Sequence, residues 1–125
     1  IAMLDPSAWG ALILHPADTG SPIRLCDFCA PPWGTDTIPF YIGWSPDGKL
    51  LYWNFANATY AIPLQPGRPL PVIPEKGMQS RQAVAALRGA RLISEQERTF
   101  PGPNPSVYAF MKVSTQRNIY RIPVQ

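Results

Sequence analysis

Short apolar runs alternate with clusters of breakers along the whole chain, and nearly every run is too short for a helix. Ile1 to Leu4, Trp9 to Leu14, Ser21 to Leu25, Phe40 to Trp44, Leu50 to Phe55, Thr59 to Leu64, Leu70 to Ile73, Ala90 to Ser94, Val107 to Val113 and Asn118 to Val124 each read as a strand. In the third of these, Ile23 and Leu25 alternate with Arg24, the period of a strand with one face buried. Breaker clusters such as Asp5-Pro6-Ser7, Pro66-Gly67-Arg68-Pro69 and the stretch from His15 to Gly20 separate the runs. Cys26 to Pro39 and Gln96 to Pro105 read as longer loops.

The clearest local signal is Ser45-Pro46-Asp47-Gly48, set between two apolar runs. Pro46 presets φ at the first central turn position, and Asp47 and Gly48 are residues that tolerate positive φ, so the stretch predicts a tight hairpin. One segment breaks the pattern. Ser80-Arg81-Gln82-Ala83-Val84-Ala85-Ala86-Leu87-Arg88-Gly89 holds helix formers between an N-cap serine and a glycine stop, which predicts one short helix near 80–88.

Internal similarity organises the strands. Tyr60-Ala61-Ile62-Pro63-Leu64-Gln65 matches Tyr120-Arg121-Ile122-Pro123-Val124-Gln125 at a spacing of 60, and Gly20-Ser21-Pro22 matches Gly67-Arg68-Pro69 at a spacing of 47. Leu51-Tyr52-Trp53 pairs with Val107-Tyr108-Ala109 in the same way. Four-stranded units at such spacings are the mark of propeller blades. The expectation is an all-β chain forming a partial β-propeller of four-stranded antiparallel blades. Residues 1–25 form a partial blade, 26–39 a loop with a cysteine pair, 40–74 a complete blade, 75–89 a helical insert and 90–125 a last partial blade. These are fewer strands than a closed ring of at least four blades needs. The chain opens on an apolar run without Met, which fits a piece of a longer polypeptide, and the missing strands are supplied by that polypeptide or by further copies.

Composition agrees with this and narrows the function classes. The 16 prolines among 125 residues lie far above the usual ~5% and exclude long helices. With 46% hydrophobic residues and 15% charged, the chain is not a disordered one. The 11 basic residues are scattered and the net charge is +3, so no nucleic-acid partner is expected. No run reaches the ~18 apolar residues of a membrane helix, and the first residues lack the pattern of a signal peptide.

Two sets of residues resemble a known family. Trp44-Ser45-Pro46-Asp47-Gly48-Lys49-Leu50-Leu51-Tyr52 resembles the Ser-Pro-Asp-Gly-Lys blade motif of TolB-like, WD-repeat-like propellers common in bacteria. Arg117-Asn118-Ile119-Tyr120-Arg121-Ile122-Pro123 resembles the Asn-(Ile/Leu)-Tyr strand of the same blades. The likeness covers 43–74 well and 90–125 fairly, and Pro103-Asn104-Pro105-Ser106 stands where a second Ser-Pro-Asp-Gly belongs. The resemblance implies blade-building roles for Ser45, Pro46, Asp47, Gly48, Asn118 and Tyr120. It further implies a non-catalytic segment acting as a protein-interaction or sensory module, in a periplasmic or extracytoplasmic setting, with a cytoplasmic one as the alternative. Its partners are another protein or the remaining blades. Two other functions stand beside it: an accessory propeller of a serine/threonine kinase or a prolyl-oligopeptidase-type peptidase whose active site lies elsewhere, and peptide or carbohydrate binding at the propeller face.

Chemistry-bearing residues are sparse. Cys26 and Cys29 form a Cys-x-x-Cys whose readings are a local disulfide, two free thiols, or half of a metal or redox site. A zinc site wants four ligands, and only His15 and a carboxylate such as Asp27 stand ready to join the pair. His15 has no nucleophile motif beside it, and no Gly-x-Ser-x-Gly, phosphate loop or His-Glu-x-x-His occurs. No catalytic residue, metal or cofactor is therefore expected. Asp47 reads as a turn former ahead of a cation ligand. Trp44 and Trp53 are expected to pack between blades, with Trp9 less defined. Phe28, Trp33 and Arg98, in loops, are the candidate interaction surface, because exposed aromatics and arginines carry contact energy.

Overall fold

A computed structural model describes residues 2–4, 11–15, 20–27, 42–56, 58–95 and 99–110. Their architecture is all-β, built of antiparallel sheets with one short helix. The first sheet runs in chain order through β1 (Ala2–Leu4), β2 (Leu12–Leu14) and β3 (Ile23–Cys26). The second is a four-stranded meander of β4 (Ile42–Trp44), β5 (Leu50–Phe55), β6 (Ala58–Pro63) and β7 (Arg91–Ser94). Helix α1 (Arg81–Ala85) lies in the β6–β7 connection. A two-stranded ribbon of β8 (Thr99–Pro101) and β9 (Tyr108–Phe110) follows. No sheet closes on itself among the described residues.

The fourth strand of the meander is not the one the apolar pattern suggests. Leu70 to Ile73 forms no strand, and β7 pairs with β6 instead. Pro69 and Pro71 strip one edge of the segment of its donors, and Leu70 and Val72 make no ladder with β6 despite their apolar side chains. The meander consequently spans 42–94 and holds the helical insert inside it, where the sequence places the end of the blade at 74. Gly67-Arg68-Pro69 accordingly leads into a loop and not into a strand. Within the expected loop of 96–105, Thr99–Pro101 is a strand paired with Tyr108–Phe110, while 96–98 lie outside the described residues. Proline is tolerated there because Pro101 ends its strand. The expected strand over 118–124 lies outside the described residues.

The helix is shorter than its composition suggests. Ser80 is extended and its hydroxyl accepts from the Ala83 N–H at 3.1 Å, a true N-cap. The helix ends at Ala85, and Gly89 serves a following turn closed by the Ala90 N–H on the Leu87 carbonyl.

In β5 and β6, five consecutive residues each are buried: Leu51 to Phe55 and Ala58 to Ile62. Neighbouring residues of a strand point to opposite faces, so both faces of this sheet are covered. On one face Leu51, Trp53 and Phe55 stand opposite Ile62, Tyr60 and Ala58. They share a single apolar cluster with Leu12, Leu14 and Leu25 of the first sheet, and with Met78 and Val84. Trp53 meets Phe55 edge-on at 5.9 Å, and its indole N–H has no acceptor among the described residues, so it contributes by packing alone. The other face carries Tyr52 and Asn54 opposite Ala61 and Thr59, all buried. There the Asn54 amide donates to the Thr59 hydroxyl at 3.1 Å, which satisfies two polar side chains out of water.

Candidate functional site

Ser45, Pro46, Asp47 and Gly48 form the turn between β4 and β5. The Gly48 N–H donates to the Ser45 carbonyl at 2.8 Å, and the Ser45 N–H to the Leu50 carbonyl at 2.9 Å. Gly48 alone takes a left-handed φ, +69°; Asp47 does not, contrary to the reading of its type. Asp47 acts through its carboxylate. One oxygen accepts from the Ser45 hydroxyl at 2.6 Å and from the Lys49 N–H at 3.1 Å, while the Ser45 hydroxyl oxygen accepts from the Leu50 N–H at 2.9 Å. The Ser45 hydroxyl first, and the Lys49 N–H second, hold the Asp47 carboxyl below the usual range. Asn104 repeats this device in the β8–β9 turn, its side-chain oxygen accepting from the Ser106 N–H at 3.0 Å. Asn104 thus makes the same bond to the N–H two residues on that Asp47 makes to Lys49.

Trp44 is not packed between sheets. It is 41% exposed, and its indole N–H donates to the Pro69 carbonyl at 2.7 Å. That bond ties the hairpin to the proline-rich loop after β6. Beside this loop lies a groove of about 550 Å³, walled by Pro63, Leu64, Pro66, Leu70, Val72 and Leu87. Arg68 and Arg88 stand in its lining, and among the described residues neither has an ion-pair partner. A second hollow of about 750 Å³ shares the loop and runs toward Lys49 and Leu50. The carboxylate lining it, Asp47, is engaged by Ser45 and Lys49.

A junction between the two larger sheets forms the other notable locus. The Met78 N–H donates to the Leu25 carbonyl at 2.6 Å, and Cys26 and Met78 form a parallel bridge. Gly77 makes this approach at φ +72°, where a Cβ would stand 2.9 Å from the Leu25 carbonyl oxygen. Cys26 is buried and disulfide-bonded. Asp27 accepts from Arg24 and Gln79; Arg24 first, and Gln79 second, lower its carboxyl pKa. At the helix start, Arg81 donates to the Tyr60 hydroxyl at 3.1 Å and pairs with Glu95.

The remaining residues singled out by sequence, Phe28, Cys29, Trp33, Arg98, Asn118 and Tyr120, lie outside the described residues, as does Trp9. His15 is exposed at the end of β2. Among the described residues no group of three His, Cys, Asp or Glu side chains is placed to hold a metal, and no helix is long and apolar enough to cross a membrane. No match was found between this chain and any protein-family model, any curated protein or any solved structure. The groove was not legible in the sequence because Arg68 and the adjacent pair Leu87 and Arg88 come from separate segments. The density of prolines from Pro63 to Pro74 was the signal that a rigid surface loop stood there.

Proposed function

We propose that this chain is a segment of a bacterial β-propeller and serves as a non-catalytic protein-interaction or sensory module. The observation that carries the reading is the two-sided burial of β5 and β6 within a sequential antiparallel meander. A blade in a ring has a neighbour on each face, whereas a sheet on the outside of a sandwich shows one face to water. The first sheet meets the meander through one continuous apolar cluster, as one blade meets the next. The turn network of Ser45, Asp47 and Gly48 matches the demands of the blade motif that the sequence resembles. The disulfide at Cys26 supports an extracytoplasmic setting, where such bonds persist.

Photo-cross-linking in the protein as the cell makes it tests this reading. A benzophenone amino acid at Phe110, on the exposed ribbon, is expected to link within the same polypeptide, to a neighbouring blade. One at Val72, on the loop, is expected to link to a different protein. A catalytic activity abolished by substitutions within these 125 residues would overturn the non-catalytic role.

A further inference from the structure

We infer that the groove beside the 63–72 loop binds an extended acidic peptide of a partner protein, with apolar side chains against Leu64, Leu70 and Leu87 and carboxylates on Arg68 and Arg88. The inference rests on the interaction role proposed above and names its surface and partner chemistry.

Three observations point the same way. First, the groove is charged with one sign. Arg68 and Arg88 line it without ion-pair partners among the described residues, and in the adjoining hollow Lys49 and Asp47 offset each other. The single carboxylate there, Asp47, already accepts two hydrogen bonds and pairs with Lys49. Guanidinium groups grip carboxylates through paired N–H donors, which makes an acidic residue the complementary group. Second, the backbone offers donors. The N–H groups of Leu70 and Val72 have no acceptor among the described residues, and the prolines before each fix where the donors fall. Two free donors at a spacing of two residues suit the carbonyls of an extended chain, as in strand addition. Third, the walls are rigid. Pro63, Pro66, Pro69 and Pro71 restrict the backbone, and Trp44 fixes the Pro69 carbonyl, so little order remains to be imposed on binding.

An acidic peptide fits these features better than a nucleic acid does. The cations could meet phosphates, but the groove is walled by proline and leucine and holds no aromatic ring for a base to stack upon. An anionic side chain next to an apolar one satisfies both parts of the lining.

The test is fluorescence anisotropy on the full-length protein as the cell makes it, purified intact. The probe is a labelled, end-capped peptide alternating Glu with Leu, set against the same peptide with Lys for Glu and against a labelled single-stranded oligonucleotide. The Glu peptide is expected to bind and the Lys peptide not to. Arg68→Glu and Arg88→Glu are each expected to weaken binding by roughly fivefold or more, with weakening also at about 0.5 M salt. Hydrogen exchange should slow at Leu70 and Val72. Both arginines are surface groups, and circular dichroism checks the fold; should one variant unfold, the other carries the comparison. Equal binding of the Glu and Lys peptides, unchanged affinity in a folded reversal variant, preferential binding of the oligonucleotide, or no binding at all would each overturn the groove. Peptide protection mapped elsewhere on the chain would overturn it too while leaving the interaction role standing, because that role is read separately from the cross-link at Val72.

Discussion

The Trp44 indole N–H and the Pro69 carbonyl, 25 residues apart, meet at 2.7 Å and join the β4–β5 hairpin to the loop that follows β6. Their bond gives an exposed tryptophan a structural task. Trp44→Phe keeps most of the ring and loses the donor. It is expected to lower stability by about 0.5–1.5 kcal/mol in urea denaturation, and hydrogen exchange should quicken at Arg68, whose N–H donates to the Gln65 carbonyl in the same loop. An unchanged exchange rate there would mean that the loop is held by its prolines alone.

Acid should loosen the hairpin. Asp47 has a folded pKa below its ordinary value, because the Ser45 hydroxyl, and after it the Lys49 N–H, donates to the ionised carboxylate. A group with a depressed folded pKa contributes stability that is present above its unfolded pKa and lost as pH falls through the folded one. Melting temperature should therefore hold from neutral pH down to about 4 and decline below it. Asp27, lowered by Arg24 and then Gln79, acts in the same direction. Asp47→Asn keeps an acceptor for the Lys49 N–H but loses the charge. Its melting temperature should be lower near neutrality and should fall less steeply in acid, the two curves converging.

Gly77→Ala addresses the junction between the first two sheets. A Cβ there would stand 2.9 Å from backbone atoms of Leu25 and Cys26, on a residue whose φ is +72°. The strained conformation alone costs about 1 kcal/mol or more, and the clash adds to it. Loss of exchange protection at the Met78 N–H, which donates to Leu25, is the accompanying local signature.

The ribbon of β8 and β9 leaves Phe100, Val107, Tyr108 and Phe110 substantially exposed. Isolated as 125 residues, the chain should self-associate in sedimentation velocity, through exposed apolar side chains and strand edges that a neighbouring blade would cover. Phe110→Glu should shift the population toward monomer. A monodisperse monomer for the unsubstituted chain would contradict the open-segment account.

The parts of the fold that were legible in the sequence are those fixed by local chemistry. The hairpin at Ser45–Gly48 followed from its turn residues, and β5 and β6 from apolar runs bounded by breakers. The Ser80 cap was legible for the same reason. The fourth strand was not. Leu70, Val72 and Ile73 look like a strand by side chain, yet Pro69 and Pro71 leave only one edge of the segment with donors, and β7 wins its place on Tyr60 and Ala61 through long-range pairing that no local pattern encodes. Asp47 was legible as a turn residue but not in its mechanism, since its carboxylate and not its backbone φ does the work. The groove depends on Arg68 and Arg88 standing together, which only the tertiary fold decides.

We read the 42–94 meander as one blade between two others. The most direct test of that reading is the structure of the protein as the cell makes it, by cryo-electron microscopy or crystallography. A blade at this place in a ring has a second sheet against Tyr52, Asn54, Thr59 and Ala61, with the first sheet on the opposite face and further blades completing the ring. A two-layer sandwich in which Asn54 and Thr59 face water would contradict it.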